Sequence, residues 1–180
     1  MVKSPNDTIR IRPAILEDAE ALGNLRVMSW RRAYSGLIEQ TYLENLSVEH
    51  NVAQFKTQLS GTSQTQHLVA VINNQVSGWS CRTVLDPASL AAPITGELNA
   101  LYLLPNAWGK SLGFKLWQGT LERFVHRGCS RVTAWVLDQN ERAEKFYERQ
   151  GFKRQLEQKH TQLTATQTLV ENLYALELTR

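Results

Sequence analysis

Between Glu97 and Phe114 an alternating, mostly apolar run stops at Pro105 and gives way to a turn of small residues, Asn106-Ala107-Trp108-Gly109-Lys110-Ser111-Leu112-Gly113. The run over 97–104 reads as a strand, and proline ends it because it brings no N–H to a ladder. A helix is expected over 109–127, with Gly113, Leu116, Trp117, Thr120, Leu121 and Phe124 on one stripe and Gly128 ending it. A strand leading through a tight turn into a helix leaves the first helical N–H groups pointing out of the turn. The helix dipole favours an anion at that place. Gly109 and Gly113 let the backbone approach a phosphate closely, and Lys110 adds a cation. The apolar stripe of that helix must be buried against another element.

The remaining signals extend that unit. Thr8 to Arg12 alternates as a strand and meets Pro13, and Glu17-Asp18 open a helix carrying Ala19, Leu22, Leu25 and Met28 towards Trp30, Tyr34 and Gly36. A second helix is expected from Val48 to Leu59. Strands over 67–72 and 75–84 flank Asn73-Asn74, which suits the positive φ of a tight hairpin. Residues 86–93 read as a loop. Arg131 to Leu137 reads as a buried strand, Asn140 to Gln150 as a helix ended by Gly151, and two strands close the chain over 152–159 and 169–178. The order is βααβββαβαββ, an α/β fold with a mixed sheet. At 180 residues it forms a single domain over 8–180 after a short polar tail, 1–7.

Composition excludes several function classes. The net charge of +3 is spread through the chain, and the densest group, Arg26, Arg31 and Arg32, is interrupted by apolar residues, so no nucleic-acid partner is expected. No apolar run approaches the ~18 residues of a membrane span, and the first residues lack a secretory h-region, so the expected address is the cytoplasm. Cys81 and Cys129 have no partner spacing, the four histidines are scattered, and no metal is expected. Gly109-Lys110-Ser111 has the ending of a nucleotide-binding P-loop, and Asp138 stands where such folds place a magnesium ligand. The P-loop's first glycine would fall at position 104, which is Leu104.

A second segment narrows the reading. Asn140-x-x-Ala143-x-x-Phe146-Tyr147-x-x-x-Gly151-Phe152, placed after the first stretch, resembles the GNAT superfamily of acyl-CoA-dependent N-acetyltransferases. The resemblance runs from about Thr8 to the C-terminus and extends to Ile11-Arg12-Pro13-Ala14 and the helix ending in Trp30 and Tyr34. It implies a mostly antiparallel mixed sheet, splayed where acetyl-CoA enters as co-substrate. By the same resemblance Leu101, Tyr102 and Leu103 pair with the pantetheine arm from a bulged strand. The pyrophosphate turn falls on Trp108 to Gly113 and runs into Phe114, so Gly109, Lys110, Ser111, Leu112, Gly113 and Phe114 are cofactor positions. Trp108 stands where the family uses Arg or Gln, and Ser111 where it uses glycine.

The family pattern assigns Asn140 to the cofactor arm and Tyr147 to the thiolate as general acid. Taken alone, Asn140 has a plainer account as a helix N-cap and Tyr147 as a core aromatic. Seven residues are nearly two helical turns, so the two share a face. Glu97 matches a position often acidic in the family and is the candidate base, because the glutamate some relatives carry on the following strand is here Trp135. Its plainer account is an exposed glutamate at a strand edge. Trp30 and Tyr34 fall where relatives line the acceptor pocket. The implied activity is transfer of acetyl to a primary amine, of a small molecule or a protein, by direct attack in a ternary complex. A non-catalytic acyl-CoA-binding domain of the same fold is the alternative, and the family allows a homodimer.

Overall fold

The left-handed conformations of Asn73 (φ 48°) and Asn74 (φ 66°) turn the chain sharply and start the sheet, as their short polar side chains permit. The structure is a computed structural model that describes residues 8–61, 63–85 and 94–178; the tail over 1–7 and the expected loop over 86–93 lie outside them. Its strands are β1 (Ile9–Pro13), β2 (Gln66–Ile72), β3 (Gln75–Leu85), β4 (Thr95–Leu103), β5 (Arg131–Leu137), β6 (Lys153–Gln162) and β7 (Thr168–Glu177). Its helices are α1 (Ala19–Ala33), α2 (Gln40–Glu44), α3 (Val48–Ser60), α4 (Leu112–His126) and α5 (Glu141–Arg149). The seven strands form one sheet in the order β1-β2-β3-β4-β5-β7-β6. Every neighbour pair is antiparallel except β4 with β5.

At the edge of the sheet β6 is mostly exposed, while the central strands are buried on both faces. On one, Leu22, Leu25 and Phe55 of α1 and α3 pack against Val69, Val71, Trp79 and Cys81. On the other, Leu116, Trp117 and Phe124 of α4 cover Ala70, Leu98, Val132 and Ala134. The packing of α4 is close: a Cβ on Gly96 would lie 2.3 Å from the Phe124 ring, so glycine is required there for contact rather than for φ.

Two features of β4 shape the site. Cys81 pairs with Ala100 and Arg82 with Leu98, so Asn99 is an extra residue in the strand, a β-bulge. The parallel pairing with β5 covers Thr95–Arg131, Gly96–Val132 and Glu97–Thr133 and stops there. Beyond Glu97 the two strands separate, and the edge of β4 that faces β5 is open.

The sequence reading differs from the fold in several places, among them β6, which runs to Gln162 rather than 159. Helix α4 starts at Leu112, not Gly109, because Gly109 (φ 73°) and Ser111 (φ 59°) are both left-handed and helix cannot form through them. The short helix α2 was not expected. Met28 is half exposed, and Ser29 takes the inward position instead, with its hydroxyl donating to the Leu103 carbonyl at 3.1 Å. Among the described residues no helix is long and apolar enough to cross a membrane.

Candidate active site

Where β4 and β5 part, a cavity of about 160 Å³ opens between them. Leu101, Tyr102 and Leu103 of β4 form one wall and Trp135, Val136 and Leu137 of β5 the other. Gly113 of α4, Asn140 ahead of α5, Tyr147 of α5 and Tyr34 after α1 complete it. Of the residues singled out in the sequence, the fold brings Tyr34, Leu101, Tyr102, Leu103, Gly113, Asn140 and Tyr147 to this one space.

The side formed by β4 and the start of α4 is mostly backbone. The first α-helical bond of α4 is Lys115 N–H to the Ser111 carbonyl, 3.1 Å, so the N–H groups of Leu112, Gly113 and Phe114 precede it and have no intrahelical acceptor. Gly109, Lys110, Ser111, Leu112 and Phe114 lie outside the cavity lining; the Leu112 side chain is buried in the core with Ala70 and Leu116, and Phe114 is half exposed. A Cβ on Gly113 would meet Leu103 and Phe146 at 3.5 Å each, so alanine fits and a longer side chain enters the cavity. The left-handed Ser111 accounts for the glycine usual at that turn position: a side chain there costs on the order of 1 kcal/mol.

Asn140 is the N-cap of α5 and also lines the cavity. Gln139 (φ 65°) turns the chain out of β5, and the Asn140 Oδ1 accepts the Ala143 N–H at 3.2 Å, capping α5. With that oxygen engaged, the Nδ2 donors remain for a ligand.

The wall around Tyr34 is aromatic. Tyr34 and Tyr102 share a hydroxyl–hydroxyl hydrogen bond of 2.7 Å, and Trp30 meets the Tyr34 ring edge-on at 5.1 Å. Tyr147 is buried, with its ring against Phe146, Phe152 and Tyr174. Burial raises the pKa of all three tyrosines above the usual value; for Tyr34 the neighbouring tyrosines and the negative charge of Glu171 on β7 add to it. All three hydroxyls are therefore protonated at neutral pH.

Glu97 lies at the vertex of the strand split, not in the cavity lining. Its Oε1 accepts the Asn99 Nδ2 at 2.7 Å, and Asn99 does line the cavity, so the bulged residue links the carboxylate to the space. Trp30 likewise stands behind Tyr34, outside the lining. Asp138 is held by the Asn172 Nδ2 at 2.9 Å. Sequence reasoning missed Ser29, Asn99, Trp108 and Arg142 as lining residues; only Trp108 carried a signal, as a departure from the turn pattern. Among the described residues no cluster of three or more His, Cys, Asp or Glu could hold a metal.

The model of the acetyltransferase (GNAT) family matches residues 26–152. The chain is 27% identical over 133 residues to the uncharacterized N-acetyltransferase YuaI of Bacillus subtilis, covering 73% of each. Its fold is similar to that of the PaiA N-acetyltransferase of Thermoplasma acidophilum, solved with coenzyme A (TM-score 0.72, 22% identity, 94% of this chain and 99% of that one). It is also similar to YncA of Salmonella typhimurium, solved with acetyl-CoA (TM-score 0.69, 18% identity, 96% and 95%).

Proposed function

The chain belongs to the acetyltransferase (GNAT) family, and from that premise we propose that it moves an acetyl group from acetyl-CoA to a primary amine by direct attack in a ternary complex. The observation that carries this reading is the parting of β4 and β5 beyond Glu97–Thr133, with Asn140 and Tyr147 both facing the gap.

The residues fit the donor. The open edge of β4 offers backbone groups to an extended arm, as an added strand would find them. The Leu103 carbonyl is already engaged by Ser29 and by the Trp108 indole N–H, 3.1 Å each, which leaves Leu101 and Tyr102 as the main pairing positions. About 160 Å³ suits an arm and the reacting groups but not a nucleotide, whose place is outside, along Gly109 to Phe114. Bound there, acetyl-CoA supplies an acyl carbon activated by a thiolate leaving group.

This chain's residues then do three things. The Asn140 Nδ2 donors hold the arm against α5. The Tyr147 hydroxyl, kept protonated by burial, gives its proton as negative charge grows on sulfur. Glu97 accepts the amine's proton directly or through water, with Asn99 Nδ2 orienting its carboxylate, since an attacking amine must be neutral and most amines are protonated at pH 7. A covalent route through cysteine is disfavoured: burial pushes the Cys81 thiol up to about 12 and raises Cys129 too, so neither supplies a thiolate.

The test is release of free thiol from acetyl-CoA with a panel of primary amines, from polyamines and amino acids to peptide N-termini. Turnover with at least one, initial rates that depend on both substrates together, and no acetylated enzyme support the reading. A protein that binds CoA tightly but turns over none of the panel is a binding domain of the same fold.

A further inference from the structure

Trp108 replaces the arginine or glutamine usual at its turn position, and the fold surrounds it with cations from elsewhere. The Arg142 guanidinium of α5 stacks on the indole, 3.2 Å from the ring centroid, and that of Arg32 of α1 lies 5.9 Å from the same centroid. The indole itself is held by its N–H bond to the Leu103 carbonyl. Three elements distant in sequence thus converge on Trp108, one residue before Gly109; Trp108 and Arg142 line the cavity and Arg32 lies beside them.

The charges there are uncompensated. Among the described residues neither guanidinium has an ion pair or a hydrogen bond, and Glu141, the carboxylate next to Arg142, is committed to Lys145 at 2.7 Å. Arg142 is the second residue of α5, where the helix dipole disfavours a cation. Its pKa is lowered by partial burial and by the like charge of Arg32. Stacking on tryptophan supports a guanidinium without neutralising it. A helix first turn, a like charge and no counter-ion together make a poor place for an arginine unless an anion arrives.

We propose that Arg142 and Arg32, positioned on Trp108, form a two-cation grip for the phosphate groups of the acyl donor, supplied from α5 and α1 in place of the side chain missing from the turn. The inference rests on the donor reading above and adds to it. The backbone turn contacts phosphate from one side, and the arginine pair contacts it from across the cleft. Guanidinium forks suit phosphate oxygens in a way a single lysine does not. The Trp108–Arg142 contact spans the cleft from the turn to α5, so the donor's phosphates compete for Arg142 with the indole face. Trp108 is therefore a positioning residue that also reports binding.

The experiment compares CoA with phosphate-free pantetheine, by calorimetry, in wild type, Arg142→Met, Arg32→Met and the double variant. Both arginines are exposed, and thermal melts verify folding. The grip predicts that the preference for CoA over pantetheine falls about tenfold per arginine removed. It also predicts that inorganic pyrophosphate competes with CoA in wild type and much less in the double variant. Tryptophan emission should change on CoA binding in wild type and markedly less in Trp108→Phe. An unaltered CoA-to-pantetheine ratio in the double variant overturns the grip while leaving the donor site intact. A wild type that binds neither CoA nor pantetheine overturns the donor reading and the grip with it.

Discussion

The two sides of the cavity are built in different ways. The donor side is a matter of backbone: an open strand edge, helical N–H groups before Lys115, two left-handed residues and a capping asparagine. The acceptor side is a matter of side chains, with Tyr34 after α1, Tyr102 on β4 and Trp135 on β5 meeting across elements far apart in the chain. Backbone recognition constrains residue type at each position, because only a few residues tolerate positive φ or cap a helix. Side-chain recognition needs only a large residue in about the right place, which a core position also needs. The proposed donor side therefore implies a ligand class, and the proposed acceptor side implies only that something aromatic-lined and protonated faces the cavity.

Tyr147 lies where the two sides meet, and removing its hydroxyl separates them most sharply. Tyr147→Phe keeps the ring against Phe152 and Tyr174, so stability and CoA affinity should hold while turnover falls about 10²–10⁴-fold. In the wild type the tyrosine's loss of rate at alkaline pH should come above the ordinary tyrosine value of about 10, since burial raises it. A variant with wild-type turnover would make Tyr147 a core aromatic and solvent the acid.

Glu97→Gln should lower turnover by up to about 10²-fold at neutral pH, with the loss shrinking above pH ~10, where free amine is abundant. The sign follows from the chemistry: an unneeded base cannot be missed. A loss uniform in pH would place Glu97 among the packing residues, through its bond to Asn99.

The legibility of the chain follows the same division. The helices α1, α3, α4 and α5 and all seven strands were readable because their stripes, alternation and Gly, Asn and Pro stops are local. The short α2 was not, since five residues carry no periodicity. The start of α4 was misplaced by three residues because Lys110-Ser111 looks helical and only the left-handed Ser111 φ forbids it. Asn140, Gly113 and Tyr147 reach the cavity as the family pattern implied. Arg142 and Asn99 were invisible: one matters through a stack with a residue 34 positions away, the other through a bulge set by pairing with β3.

The smallest expected effect belongs to the turn. Ser111→Gly relieves a left-handed side chain, so thermal stability should stay level or rise by no more than about 1 kcal/mol, with CoA affinity unchanged or better. A marked loss of affinity would mean that the Ser111 hydroxyl is itself a ligand donor, and that the donor side is less purely backbone than it looks.

The central claim is that acyl-CoA lies in the split between β4 and β5 with its phosphates at the α4 turn, and calorimetric titration of CoA into wild type and Gly113→Glu tests it most directly. Glutamate at Gly113 projects between Leu103 and Phe146 into the cavity and adds a negative charge beside the phosphates. The account predicts clear one-to-one binding to wild type and none to a folded Gly113→Glu protein; undiminished affinity in that variant would contradict it.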